Sequence, residues 1–313
     1  MNVYSAYAKV NIGLDVTGIR ADGYHLLDTV MQEISLADRL ELVRISEGIR
    51  IECSDSKVPL GEDNLITRAI RLLGADGIYI RLEKNIPMQA GLGGGSSDAA
   101  AALKAVNEVF GLGHSNEELK AFAVRLGADV PFFIDGGSAR CRGIGDEIER
   151  LTEFKNGALL GGRCIAICKP SANASTQNIY KKYDALDQSK IIHPDIDALI
   201  NGDTSQMINV LEYVTGAEIS DIEKKEARLK DMGAICTSMT GSGSAVFGIF
   251  EESAFADAEG KTVYDSSAGI EADTADDDSA EIEADTVDDI SAETGAKLIN
   301  ELRNMGGMLC RVI

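Results

Sequence analysis

The stretch Pro87-Met88-Gln89-Ala90-Gly91-Leu92-Gly93-Gly94-Gly95-Ser96-Ser97-Asp98 places four glycines and two serines within seven positions, and the run Ala99-Ala100-Ala101-Ala102-Leu103 follows directly. Glycines leave backbone N–H groups uncovered. Where such a loop opens a helix, the first-turn N–H groups lack intrahelical partners and carry partial positive charge. Loop and helix start together make a cradle for phosphate. Two common phosphate loops are excluded. Gly95 is followed by Ser96 rather than Lys, so the P-loop ending is absent, and Ser96 stands where a dinucleotide fingerprint beginning at Gly91 needs glycine. Ile78-Tyr79-Ile80-Arg81-Leu82 alternates apolar and polar residues and predicts a strand just before the loop. Ser97 is placed to cap the following helix, with Asp98 in its first turn. Strand, glycine loop and capped helix predict a built anion site rather than a flexible tether.

The 313 residues suffice for one large domain or two medium ones, and 44% hydrophobic residues without a tryptophan predict an aliphatic core. Met1 to Gly13 contains Lys9 and no long apolar run, unlike a signal peptide, and no segment has the apolar length of a membrane span. A cytoplasmic protein that engages no membrane is expected. Cys53, Cys141, Cys164, Cys168, Cys236 and Cys310 show no Cys-x-x-Cys pair, and the three histidines lie far apart. Reduced thiols are expected rather than disulfides or a zinc site, and no residue is assigned to a resident metal.

The net charge of −21 is concentrated. Residues 251–293 hold 16 acidic residues against one basic residue, Lys261. Within them Gly269–Ala280 and Glu281–Ala292 match at 9 of 12 positions. Low complexity and like charge predict a solvated acidic insertion at about 252–293, with a protein-docking or cation-binding arm as the alternative. No EF-hand loop fits. The rest of the chain is mildly acidic, so no nucleic-acid surface is expected.

Residues 1–150 read as mixed strands and helices. Leu40–Val43 and Ile49–Cys53 predict strands, Asn64–Leu73 a helix, and Ser115-Asn116-Glu117-Glu118 a capping box whose helix ends at Gly127. A second unit begins near Leu159. It has a strand at Cys164–Cys168, helices at Asp221–Met232 and Thr294–Asn304, and a final strand at Met308–Ile313.

Three segments occur in the order of the motifs of one family. Ala6-Tyr7-Ala8-Lys9-Val10-Asn11-Ile12-Gly13-Leu14, Pro87–Ala102 and Thr240-Gly241-Ser242-Gly243-Ser244-Ala245-Val246-Phe247-Gly248 resemble the first, central and third motifs of the GHMP kinases (galactokinase, homoserine kinase, mevalonate kinase and relatives). Asp22-Gly23-Tyr24-His25 and Gly127-Ala128-Asp129-Val130-Pro131-Phe132-Phe133 resemble the members whose acceptor carries a cytidine diphosphate group. The resemblance covers most of residues 1–250 and resumes near 295. It implies an α+β, two-domain GHMP kinase fold: a ribosomal protein S5 domain 2-like unit at 1–155 and a ferredoxin-like unit at 156–313, the latter interrupted by the acidic insertion. It also implies ATP-dependent phosphorylation of the 2-hydroxyl of a methylerythritol joined to cytidine diphosphate, in non-mevalonate isoprenoid precursor synthesis, with ATP and Mg²⁺ required. A mevalonate- or homoserine-like acceptor, or a non-catalytic nucleotide-binding regulator, are the alternatives.

Phosphoryl transfer needs a held triphosphate, a metal to spread charge and an oriented hydroxyl. The backbone from Pro87, Met88, Gln89 and Ala90 through Gly91, Leu92, Gly93, Gly94, Gly95, Ser96 and Ser97 supplies the first; Ser96 or Ser97 could also meet a phosphate or Mg²⁺. Asp98 reads as stabilising the helix start. Asp129 alone reads as a turn or capping aspartate; the resemblance makes it the base that takes the hydroxyl proton. Lys9 alone reads as a lysine on an edge strand, yet it lies in an apolar run. Beside Asp129 it would hold that carboxylate ionised and oriented. Asn11 shares its strand face and could bond the acceptor. By resemblance Tyr24 and His25 take the cytidine end, Tyr180 is a second stacking ring, Asn64 contacts the ATP base, and the turn holding Gly241 and Ser242 closes over the centre.

Overall fold

The structure, a computed structural model, describes residues 2–151, 160–255 and 289–313. Residues 269–288 of the repeat, and any docking role for it, lie outside the described residues.

Two long strands, β1 (Asn2–Ile19) and β2 (His25–Arg44), form an antiparallel pair, with register shifts between Tyr7 and Ala8, Asn11 and Gly13, and Val16 and Gly18. Then follow β3 (Ile49–Cys53), α1 (Leu65–Leu72), β4 (Ile78–Glu83), α2 (Gly94–Phe110), α3 (Asn116–Ala123), α4 (Phe132–Asp135), β5 (Ser138–Gly143) and β6 (Glu147–Arg150). β2 carries β1 on one edge. Its other edge pairs β4 along Arg39–Arg44 and β5 along Leu27–Gln32. β3 adds parallel to β4, and β6 antiparallel to β5. The alanines of α2 are buried in one apolar cluster with Ile66 and Ile70 of α1, Leu40 and Leu42 of β2, and Ile80 of β4. Small side chains let this helix lie close to the sheet.

The second unit runs β7 (Arg163–Cys168), α5 (Thr176–Tyr183), α6 (Ile196–Ile200), α7 (Glu212–Glu218), α8 (Asp221–Asp231), β8 (Cys236–Met239), β9 (Val246–Glu251), α9 (Asp289–Asn304) and β10 (Gly307–Arg311). Its sheet has the order β10-β7-β9-β8 with antiparallel neighbours. Two strand–helix–strand passages around one hairpin give this order, the ferredoxin-like arrangement.

Ala8, Val10 and Ile12 of β1 and Val30, Ile34 and Leu36 of β2 share one apolar cluster with Ile165 and Ile167 of β7 and Phe247 and Ile249 of β9. The alternation that sends Ala8, Val10 and Ile12 into this layer turns Lys9 and Asn11 to the opposite face.

Several boundaries differ from the sequence reading. Gly93, left-handed at φ 74°, is the cap of α2, and no side chain caps the helix. Ser97 therefore lies within the helix, buried, its N–H on the Gly93 carbonyl at 2.8 Å, and Asp98 falls beyond the first turn. The capping box at Ser115 and Glu118 is present, but α3 ends at Ala123, and a tight turn carries the chain to Gly127. Phe255 is buried and α9 begins at Asp289, so both edges of the segment read as an acidic insertion belong to the folded unit.

Candidate active site

β1 delivers Lys9 to the glycine loop twice. Its main-chain N–H donates to the Leu92 carbonyl at 3.0 Å, and its Nζ donates to the Gly91 carbonyl at 2.9 Å. Nζ also donates to Asn11 Oδ1 at 2.6 Å and faces Asp129 Oδ2 at 3.7 Å. Lys9 is 3% exposed, whereas the Asp129 side chain is 33% exposed, open to an incoming hydroxyl. Burial pulls the Lys9 ammonium below the ordinary lysine value, and the Asp129 carboxylate opposes that pull. Asp129 sits in the turn between Gly127 and α4, where Val130 N–H closes onto the Gly127 carbonyl at 3.2 Å.

Asn11 is held on three sides. Its main-chain N–H donates to Thr240 Oγ1 at 2.9 Å, its Nδ2 to Thr29 Oγ1 at 2.9 Å, and its Oδ1 accepts from Lys9. Thr240 opens the third motif, which packs directly on the glycine loop. Ala245 N–H donates to the Ala90 carbonyl at 3.1 Å, and a Cβ at Gly91 would lie 2.1 Å from the Thr240 carbonyl oxygen. Asn209 steadies this turn from below, its Nδ2 bonding the Met239 and Gly241 carbonyls at 2.8 Å each. Ser242 Oγ pairs with Thr176 Oγ1 at 2.8 Å.

Two cavities meet at Gly91 and Gly93. The first, about 360 Å³, is walled by Asn64, Lys84 and the loop from Pro87 to Ser96, with Asp98 behind it. The second, about 830 Å³, holds Lys9, Asn11, Tyr24, His25, Asp129 and Tyr180, and Gly241 and Ser242 line it as well. The sequence-predicted residues are thus brought together around the loop, except Ser97, which is buried in α2. Three of them have other partners than expected. Asn64 is the cap of α1: its Oδ1 accepts from Ile66 N–H at 2.8 Å and its Nδ2 donates to the Pro59 carbonyl at 2.6 Å, so the amide that was read as a base contact is engaged within the fold. His25 Nε2 meets Asp184 Oδ1 at 2.7 Å, and its ring lies 4.5 Å from that of Tyr180. Tyr24 stands apart from that pair, 58% exposed, under the Arg20 guanidinium.

The family model for the GHMP kinases N terminal domain matches residues 64–137. A 4-diphosphocytidyl-2-C-methyl-D-erythritol kinase of Clostridium beijerinckii is 42% identical over 261 residues, covering 79% of this chain and 90% of the relative. The enzyme of that name from Thermoanaerobacter pseudethanolicus is 42% identical over 259 residues, 79% of this chain and 86% of its own length. This chain belongs to the 4-diphosphocytidyl-2-C-methyl-D-erythritol kinase family. A solved 4-(cytidine 5'-diphospho)-2C-methyl-D-erythritol kinase superposes with a TM-score of 0.67 at 33% identity, over 80% of this chain and 90% of that one. A homoserine kinase from Cytophaga hutchinsonii shares the fold, with a TM-score of 0.63 at 16% identity over 99% of this chain and 94% of its own. The chain is an ATP-dependent kinase with the two-unit GHMP kinase fold.

For a kinase of this family the sequence reading missed a buried charge cluster under the nucleotide cavity. Lys84 Nζ donates to Asp98 Oδ2 at 2.7 Å and also pairs with Asp38. Asp38 Oδ1 accepts in addition from Asn85 and Ile86 N–H at 2.6 and 2.8 Å, whereas Asp98 Oδ1 has no partner. Two carboxylates thus share one ammonium. Burial pushes the Asp98 carboxyl up to about 8, against the opposing pull of the Lys84 ammonium. The carboxylate beside the phosphate loop is neutralised from behind rather than serving the helix start. Thr29 was also missed: it meets Asn11 across the β1–β2 pair, and a lone threonine carries no signal of that. Thr240, the first residue of the third motif, holds the Asn11 main chain with its hydroxyl.

Proposed function

We propose that this chain transfers the γ-phosphoryl group of ATP to the 2-hydroxyl of 4-diphosphocytidyl-2-C-methyl-D-erythritol, a step of non-mevalonate isoprenoid precursor synthesis. The observation that carries the reading is the junction of the two cavities at Gly91 and Gly93, with the Lys9–Asp129 pair beside it. The triphosphate lies along the glycine loop at the start of α2, and the acceptor lies in the larger cavity, with its cytidine toward Tyr24, His25 and Tyr180 and its hydroxyl at Asp129. The hydroxyl oxygen attacks the γ-phosphorus, the bond from that phosphorus to the β–γ bridging oxygen breaks, ADP leaves, and the proton passes to Asp129. A carboxylate is a weak base, so Asp129 mainly orients the hydroxyl and accepts the proton late. Lys9 steadies both Asp129 and the charge that develops on the transferred group.

Mg²⁺ fits as an ion carried by the triphosphate. The Ser96 hydroxyl on the wall of the nucleotide cavity suits a hard cation that keeps several waters and few protein ligands. Bound there, it would spread the charge of the triphosphate. Among the described residues no group of three or more His, Cys, Asp or Glu is placed to hold a metal by itself. We also place the division between the two units near 155, since the first sheet uses residues to Arg150 and the second begins at Arg163. A cytoplasmic location accords with the free thiols of Cys53, Cys141, Cys164, Cys168 and Cys236; no described helix is long and apolar enough to cross a membrane.

The test is a panel of acceptors with purified protein and ATP, read as ADP release. Turnover is expected with the cytidine diphosphate acceptor. Turnover with mevalonate or homoserine in its place would refute the reading.

A further inference from the structure

The charged side chains around the acceptor cavity pair off with one left over. Lys9 faces Asp129, Asp22 faces Arg20, and His25 faces Asp184. Lys181 lines the same cavity, and among the described residues no hydrogen bond or ion pair joins it to another group.

Helix α5 explains how it comes to be there. Thr176, Gln177, Tyr180, Lys181 and Asp184 all line the cavity, and their spacing is that of a single helix face. The next residue, Lys182, leaves that face and pairs with Glu218 of α7. Both lysines complement the C-terminal end of the α5 dipole equally well. They differ in their surroundings: Lys182 pairs with Glu218, whereas Lys181 lines the cavity.

We propose that Lys181 recognises the diphosphate bridge of the acceptor, beside the Tyr180 ring that takes the base. This rests on the acceptor reading given above. An acceptor whose base sits near Tyr180 and whose hydroxyl sits at Asp129 must run its diphosphate between them, past the carboxylates of Asp22, Asp129 and Asp184. Lys9 cannot offset that repulsion, because its ammonium already serves Asn11, the Gly91 carbonyl and Asp129 at the hydroxyl end. Lys181 is a three-donor point charge on a flexible stem, suited to phosphate oxygens whose placement varies as the acceptor settles.

Lys181→Ala, Lys181→Arg and Lys182→Ala variants test this by steady-state kinetics and by calorimetric binding of cytidine diphosphate and of cytidine. In Lys181→Ala the acceptor KM rises about tenfold, as for loss of one charged hydrogen bond at a partly exposed site. Its kcat and its KM for ATP stay within about twofold of the parent. Cytidine diphosphate binds Lys181→Ala about tenfold more weakly than the parent, while cytidine binds both alike. Lys181→Arg keeps most of the affinity, Lys182→Ala behaves as the parent, and added salt weakens acceptor use less in Lys181→Ala than in the parent. Equal cytidine diphosphate affinity in the parent and Lys181→Ala, or a loss confined to kcat, would overturn the assignment. Failure of the parent to turn over the cytidine diphosphate acceptor would refute the acceptor reading instead, and the binding comparison would still decide the role of Lys181.

Discussion

A single methyl group at Gly91 probes the seam on which the centre is built. Gly91 has φ 77°, a conformation that costs an L-residue about 1–2 kcal/mol. Its new Cβ would lie 2.1 Å from the Thr240 carbonyl oxygen. An unstrained carbon–oxygen contact needs about 3.3 Å, so the two loops must part by roughly 1 Å. That movement takes the Gly91 carbonyl away from Lys9 Nζ, now 2.9 Å distant, and forfeits a charged hydrogen bond of about 1.5–3 kcal/mol. The total is about 2.5–5 kcal/mol, equivalent to a Tm lower by roughly 4–8 °C for a protein of this size. Displacement of the triphosphate cradle on this scale lowers kcat/KM on the order of 100-fold. Gly111→Ala is the control, since Gly111 has φ 64° and open space around its missing Cβ. It should lose the conformational cost alone and keep full activity. Thermal unfolding and ADP release on both variants decide the matter. A Gly91→Ala protein matching Gly111→Ala in both Tm and kcat/KM would refute the claim that contact between these loops sets the geometry.

Asp129→Asn keeps the shape of the side chain and removes its capacity to accept a proton; kcat should fall about 10²–10⁴-fold with the KM for ATP nearly unchanged, and a kcat within threefold of the parent, about the scatter between preparations, would count against its role as base. Asp98 gives a pH-dependent prediction. Its folded carboxyl titrates near 8, well above its unfolded value, so between about pH 4 and 8 the folded state holds a proton that the unfolded chain has released. Its contribution to stability is therefore complete at low pH and is lost as pH rises through that window, at up to about 1.4 kcal/mol per pH unit. Asp98→Asn removes this slope, so chemical denaturation at pH 5 and pH 8 should show the variant gaining on the parent at the higher pH; a constant difference would contradict the assignment.

Much of the site was legible because its residues are costly anywhere else. A string of glycines between a strand and an alanine helix weakens a fold unless a ligand needs the bare backbone, and a lysine inside an apolar strand must be desolvated. Both fell where the sequence placed them. The start of α2 was misread because a serine–aspartate pair is a common cap signal, whereas here Gly93 turns the chain and leaves Ser97 inside the helix. Only Leu40–Val43 of β2 was read as a strand, because the register shifts in its pairing with β1 break the alternation that marks a strand. The Lys84 cluster was hidden because Asp38, Lys84 and Asp98 come from a strand, a loop and a helix, and nothing local announces that they meet. Tyr180 was placed by resemblance alone, and its contact with His25 follows from α5 packing beside the β1–β2 hairpin.

The apolar layer shared by the first hairpin and the second sheet has a thermodynamic consequence. Ala8, Val10 and Ile12 face into that layer while Lys9 and Asn11, between them, face the reacting groups. The second unit cannot melt without exposing the back of the strand that carries Lys9. The two halves should therefore unfold as one calorimetric transition, and neither half expressed alone should retain a measurable nucleotide affinity. Evolution cannot exchange one half of such a protein as a module, because the strand that holds the chemistry belongs, by its other face, to the core of the neighbouring unit.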